Sequence, residues 1–251
     1  MSFPAHIEQE NIDKAALAKA ERISRELLRP QADEIDANST YPAAQIKALA
    51  ESGLMGMAIS REYGGVRLSY LAQTRCFAAV AEGCMTTALI ASQHQGCTSF
   101  VMVTPHEELR LCWLPRLANG TAHGANGFNF LNLPPERAPM RAVPVAGGYR
   151  LNGVLPWVTA AHHSDLLAAG AVLTDGSQIL AAIPLREGVA NDGEHISVAP
   201  PMQLMALSAS DTTEVRCQDY FVPMDAILLG PGEKLLQSAS RGAMAYVPTA
   251  L

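Results

Sequence analysis

The chain is predicted to be an α+β protein: an all-helical N-terminal domain over residues 1–120, then an antiparallel β-barrel or sandwich domain over 121–230. Three observations predict this. Apolar residues recur at spacings of three and four through the first half, as on one face of a helix. The second half switches to short apolar runs separated by turn residues, and most of the prolines lie there, between those runs. Helices first and strands later place the two types in separate layers or domains.

Taking the elements in order, Ile12, Ala15, Ala16, Ala20, Ile23 and Leu27 form the apolar stripe of a helix from Glu8 to Arg29, which Pro30 is expected to end. Ser39 or Thr40 can cap the next helix, with Pro42 in its first turn. That helix carries Ile46, Leu49 and Ala50 and stops at Gly53; Gly64-Gly65 marks a turn. Leu68 to Thr104 holds two further helical stretches. Pro105 opens another, which closes at Asn119-Gly120. Beyond it, Gly147 to Gly153 reads as turn and strand. Leu166–Leu173 and Gln178–Leu185 flank the turn Thr174-Asp175-Gly176-Ser177 and form a hairpin. Glu214–Val222 is a strand stopped by Pro223. From Gly232 to about Tyr246 a helical pattern returns, so residues 231–251 read as the first helix of a third, helical domain.

Composition narrows the function classes. Of 251 residues, 49% are apolar and 17% charged, which is globular. The net charge of −6 comes without a Lys/Arg cluster, so neither nucleic acid nor an anionic membrane is an expected partner. No run of about 18 apolar residues exists to span a bilayer. The five cysteines are odd in number and form no Cys-x-x-Cys pair; reduced, mostly buried thiols in a cytoplasmic protein are expected. No metal site is expected. His162-His163 is the one tempting pair, and neighbours on a strand would point to opposite faces.

Several segments resemble the acyl-CoA dehydrogenase family in order and spacing. They are Arg29-Pro30-Gln31-Ala32 with Asp36 and Tyr41-Pro42; Leu49 to Met57 with Glu62-Tyr63-Gly64-Gly65; and Trp113 to Gly120. Gly148 to Gly153 followed by Pro156-Trp157-Val158-Thr159, and Tyr220-Phe221-Val222-Pro223, complete the set. The resemblance implies a helical domain, a middle β domain and a C-terminal four-helix bundle. It also implies FAD as cofactor, and α,β-dehydrogenation of an acyl-CoA or related acyl thioester with hydride passing to flavin N5. The implied electron acceptor is of the electron-transfer flavoprotein type, and the implied state is a homo-oligomer. Two other functions stay open: a non-redox relative kept as a binding or scaffold module, and a flavin-dependent monooxygenase of the same fold.

By the same resemblance, Trp157, Val158 and Thr159 lie beside the isoalloxazine, the Trp as an aromatic wall and the Thr hydroxyl near N5. Trp157 as plain β-domain core is the alternative. Asn126, Gly127, Phe128 and Asn129 resemble the strand that holds the pyrimidine end of the flavin, with Asn129 where the family usually has Thr; an ordinary strand end is the alternative. The family's Thr-Glu-x-x-x-Gly-Ser-Asp motif is replaced by Asn129 to Arg137, with Pro134-Pro135 inside, so the substrate class is open. Leu131 and Arg137 are candidate substrate contacts, and Arg141 is a further candidate for a CoA phosphate, against a reading as solvated surface arginines. Gln93 and His94, within Ser92-Gln93-His94-Gln95, are candidates to line a substrate or flavin cavity; helix-to-helix hydrogen bonds are the alternative.

The resemblance places the α-proton base beyond Leu251 in most of the family. The minority position here is Ser240 before Arg241, and Ser cannot be that base, so no catalytic residue is assigned. These 251 residues are expected to bind flavin weakly without a bundle, and to expose an apolar patch around Leu235 and Leu236.

Overall fold

The computed structural model describes residues 3–185 and 195–236. Its first half is helical: α1 (Phe3–Ile23), α2 (Arg29–Asn38), α3 (Ala43–Glu51), α4 (Tyr70–Gly83), α5 (Met85–Val103) and α6 (Glu107–Ala118). Its second half holds eight strands: β1 (Gly124–Gly127), β2 (Met140–Val145), β3 (Gly148–Val158), β4 (Leu166–Val172), β5 (Gln178–Pro184), β6 (His195–Val198), β7 (Thr213–Pro223) and β8 (Ile227–Gly232). They follow the order β6-β7-β3-β2-β4-β5-β8, with β1 added parallel to β4. The sheet is mostly antiparallel, and β2 also meets β4 in parallel.

Pro30 does not end the first helix. A π-helical turn, Ser24–Leu28, joins α1 to α2, and the Arg29 N–H reaches back five residues to the Ser24 carbonyl. The wider turn gives room for the proline ring, and Pro30 then falls in the first turn of α2, where its missing N–H has no partner to lose. Ser39 and Thr40 also act differently from the expectation. Ser39 turns into the left-handed region (φ 50°) and, with Thr40, donates back to the Asp36 and Ile35 carbonyls. The pair closes α2, and α3 starts after Pro42 without a side-chain cap.

The hairpin falls where the turn residues put it, with Val172 opposite Gln178 and Leu166 opposite Pro184. Helices α1 to α4 enclose one core around Ala20, Leu28, Leu49, Met55 and Val80. A second core runs without a break from Phe100 and Leu114 of α5 and α6 into Leu151, Leu155, Leu166, Ile179 and Val215 of the sheet. Each such side chain contributes about 1.5–3 kcal/mol on burial. The strands begin at Gly124, but this shared core locks α5 against the sheet.

Leu235 and Leu236 are buried, not exposed. Leu236 joins the second core, and the Leu235 N–H donates to Gln178 Oε1 at 3.0 Å, so these two residues find their apolar cover on the β half itself. The rest of the helix expected to reach Tyr246, with Ser240 and Arg241, lies outside the described residues.

Candidate functional site

Two glycines let α5 press on β1. A Cβ on Gly96 would sit 2.3 Å from Asn126 Nδ2, and one on Gly124 would sit 2.8 Å from the Cys97 Cβ. In that contact the Asn126 amide donates to the Gln93 carbonyl (2.8 Å) and to Gln93 Oε1 (3.3 Å). Its Oδ1 is buried and has no hydrogen-bond partner among the described residues. Buried polar atoms are otherwise mostly paired, so this oxygen is free to accept a hydrogen bond from a further group.

The polar stretch on α5 divides. Ser92 turns back to the Leu89 carbonyl (2.7 Å), and Gln95 donates to the Met55 carbonyl (2.5 Å). His94 is fully buried, and its Nδ1 accepts the Gly124 N–H at 3.1 Å. That bond fixes the neutral ring with its proton on Nε2. Burial holds the His94 pKa well below the usual imidazole value, and neighbouring His123 lowers it further, against the Leu117 and Met55 carbonyls. Gln93 alone of these four residues touches Asn126 through its side chain.

Past β1, Phe128 packs edge-on against Phe100, with ring centroids 4.9 Å apart. Asn129, Arg137 and Glu136 are exposed, whereas Phe130 and Leu131 are buried. Leu131 lies on Gly170, and its carbonyl accepts the Gln178 amide at 2.7 Å. The segment that departs from the family motif thus sends two apolar side chains into the β core. Arg141 donates to the Glu136 carbonyl at 2.9 Å.

The end of β3 forms the other wall. Between the pairs Leu155–Val215 and Val158–Thr213, β3 carries one residue more than β7. This bulge falls on Pro156-Trp157, where a proline without an N–H is tolerated, and it re-aims the strand. Trp157 is 58% exposed, Val158 is fully buried and Thr159 nearly so. β1 and β3 meet in the core here: a Cβ on Gly127 would lie 2.8 Å from Leu155 Cδ1, two residues before Trp157.

Thr159 belongs to a polar group in which sequence reasoning missed Ser210, Asp211 and Thr212. Thr159 Oγ1 is 3.1 Å from Thr212 Oγ1, which is 2.8 Å from Ser210 Oγ. The Ala160 N–H donates to the Ser210 carbonyl, and Asp211 accepts the His162 N–H and faces its ring Nδ1, both at 2.8 Å. Ala160, Leu207 and Asp211 all adopt left-handed φ values of 57°, 59° and 52°. Non-glycine residues in that region cost about 1 kcal/mol or more each, and such strain gathers at functional sites. The available signal was Ser208 to Thr213, a run of small residues, all polar except Ala209, that leads into a strand.

His162 and His163 sit on a 3-10 turn, not a strand, yet still diverge: His162 faces Asp211, and His163 stacks on Tyr41 at 3.6 Å. No group of three His, Cys, Asp or Glu residues that could hold a metal occurs among the described residues.

Residues 10–121 match the family profile of the acyl-CoA dehydrogenase N-terminal domain. Over those residues the chain is similar to the acyl-CoA dehydrogenase family. It is 28% identical over 206 residues to the short-chain specific acyl-CoA dehydrogenase of Clostridium acetobutylicum, covering 80% of this chain and 53% of that protein. It is 27% identical to the acryloyl-CoA reductase (NADH) of Anaerotignum propionicum, covering 97% and 62%. Among solved structures, butyryl-CoA dehydrogenase from Megasphaera elsdenii shares its fold (TM-score 0.78, 22% identity, 90% of this chain and 60% of that one). So does a dibenzothiophene monooxygenase from a Paenibacillus species (TM-score 0.74, 20% identity, 89% and 55%). The chain spans between about half and two thirds of the length of the curated relatives it matches. Among its described residues, no helix is long and apolar enough to cross a membrane.

Proposed function

We propose that the chain forms the flavin-facing and acyl-facing part of an FAD-dependent oxidoreductase that introduces a double bond α,β to an acyl thioester. The observation that carries this reading is Trp157, a large ring left exposed at a strand bulge two residues before the buried Thr159, while Asn126 on β1 keeps a buried amide oxygen with no partner among the described residues. An exposed indole, an orphaned acceptor and a fixed hydroxyl suit a flat heterocycle with polar edges. The family resemblance and the relatives named for acyl-CoA substrates support the same reading.

Trp157 would give the ring a flat apolar face, and Thr159 would hold a hydrogen bond at its edge. Asn126 Oδ1, with the backbone of Gly127, Phe128 and Asn129, would hold the polar end. Gln93 keeps the Asn126 amide turned, and the buried Phe128 and Leu155 exclude water from below. When bound, the flavin supplies the two-electron acceptor that no protein side chain provides. The acyl thioester would approach from the side of Gln93 and the segment 129–137. No residue is assigned as the α-proton base. Reoxidation by an electron-transfer flavoprotein-type acceptor, and assembly as a homo-oligomer, belong to the same proposal.

The test is the visible spectrum of the protein purified as naturally encoded, followed by assay with acyl-CoA and an artificial electron acceptor. A flavin band and acyl-CoA-dependent reduction are expected. Failure to take up flavin even after FAD is added overturns the reading. Oxygen consumption that depends on reduced flavin and substrate would replace it with a monooxygenase.

A further inference from the structure

Ser210, Thr212 and Thr159 form a row of three hydroxyls whose proton order can be worked out. The Oγ to Oγ distances are 2.8 Å and 3.1 Å, and all three side chains are buried. Each hydroxyl has one proton to donate and two lone pairs. Ser210 ends the row at zero exposure, and Thr212 Oγ1 is its side chain's one hydrogen-bond partner among the described residues. Its buried proton therefore goes to Thr212, because leaving it unpaired costs about 1–3 kcal/mol. Thr212 then accepts from Ser210 and donates to Thr159. Thr159 already accepts, and its own proton must point away from the row. The backbone holds this order in place: the Ser210 carbonyl binds the Ala160 N–H at 2.9 Å, and the two side chains of Asp211 and His162 pin the same loops together.

We propose that Thr212 and Ser210 are positioning residues that preset Thr159 as a hydrogen-bond donor toward the flavin edge. This rests on the flavin reading above. A ring nitrogen that accepts, as in the oxidised flavin, matches the preset hydroxyl. The same nitrogen carrying a proton, as in the reduced flavin, meets a donor and is disfavoured. The row therefore favours the oxidised over the reduced cofactor, and the bias comes from residues that do not touch it.

The experiment measures dissociation constants for oxidised and for reduced FAD on the naturally encoded protein and on its variants. Thr212→Val removes the link and lets the Thr159 hydroxyl rotate, so the preference for the oxidised form is expected to narrow about fivefold to tenfold, the worth of one hydrogen bond. Thr212→Ser keeps the hydroxyl and is expected to restore the preference, which a purely structural role for the side chain would not require. Ser210→Ala should narrow the ratio in the same direction and serves as the reading if Thr212→Val does not fold by circular dichroism. An unchanged or widened ratio in a folded Thr212→Val protein that still binds FAD overturns the hydroxyl row and leaves the flavin reading standing. Absence of FAD binding in both redox states by the unmodified protein overturns the flavin reading, and this proposal with it.

Discussion

His94 should make the protein acid-sensitive through a single buried ring. The imidazole is fully buried, its Nδ1 is committed as acceptor to the Gly124 N–H, and Nε2 has no partner among the described residues. Burial lowers its folded pKa well below 6.5, and His123 beside it adds to the effect. The sign follows from proton counts. Below about pH 6.5 the unfolded chain binds a proton at this position that the folded chain refuses, so stability is complete above that pH and is lost as pH falls. The protein is therefore expected to be less stable, and to melt at a lower temperature, at pH 5.0 than at pH 7.5. Other groups titrate in the same window, so the assay compares thermal unfolding of the wild type and His94→Gln at pH 7.5 and 5.0. The variant is expected to start lower and lose less on acidification. Equal losses in both proteins would refute the assignment of this sensitivity to His94.

Three further outcomes are expected. Gly96→Ala puts a Cβ 2.3 Å from Asn126 Nδ2 and drives the amide off both of its bonds to Gln93. Two hydrogen bonds at about 1 kcal/mol each outweigh the helix gain of about 1 kcal/mol, so melting temperature should fall by a few degrees; a rise would sink the close-packing argument. Ser39→Gly removes the cost of a side chain at φ 50° on an exposed site and should raise the melting temperature by about 2–4 °C. A loss there would mean that Ser39 instead caps α3. Thiol labelling of the folded protein at pH 8 should modify Cys112 rapidly and the others slowly. Cys112 is exposed, whereas burial pushes Cys76 up to about 11 and Cys97 and Cys217 up to about 12. Fast modification of a second cysteine, read by peptide mass, would contradict the packing around it.

Local pattern carried the fold far. The β4–β5 hairpin follows from Thr174-Asp175-Gly176-Ser177 between two apolar runs, because turn chemistry and strand propensity act over a few residues. Pro30 was misleading for the same reason. Its local rule is a helix end, and what overrides it is a π-helical turn beginning six residues earlier, visible only once α1 packs on α4 and the turn. Ser39 shows that a capping residue between two helices can serve the one before it as readily as the one after it.

The site divides along the same line. Trp157 and Thr159 were picked out because they lie two residues apart in a segment that resembles the family's central β segment. The residues that hold Thr159 were not, since Thr212 lies 53 positions away and only the pairing of β3 with β7 brings it near. Adjacent residues on α5 make the point from the other side. A turn of about 100° per residue sends Gln93 to Asn126 and His94 into the interior, although both looked like cavity residues. Helical phase alone could not choose between them, because both faces of α5 are covered: α4 packs on one part of it, and β1 on another. What decides is the close approach that Gly96 and Gly124 permit. It places β1 within reach of the Gln93 side chain and seals His94 beneath the Gly124 N–H. The open acceptor on Asn126 and the acid-labile ring of His94 thus have one origin, the glycine contact between α5 and β1. Filling it with a methyl group should disturb both the Asn126 amide and the pH response.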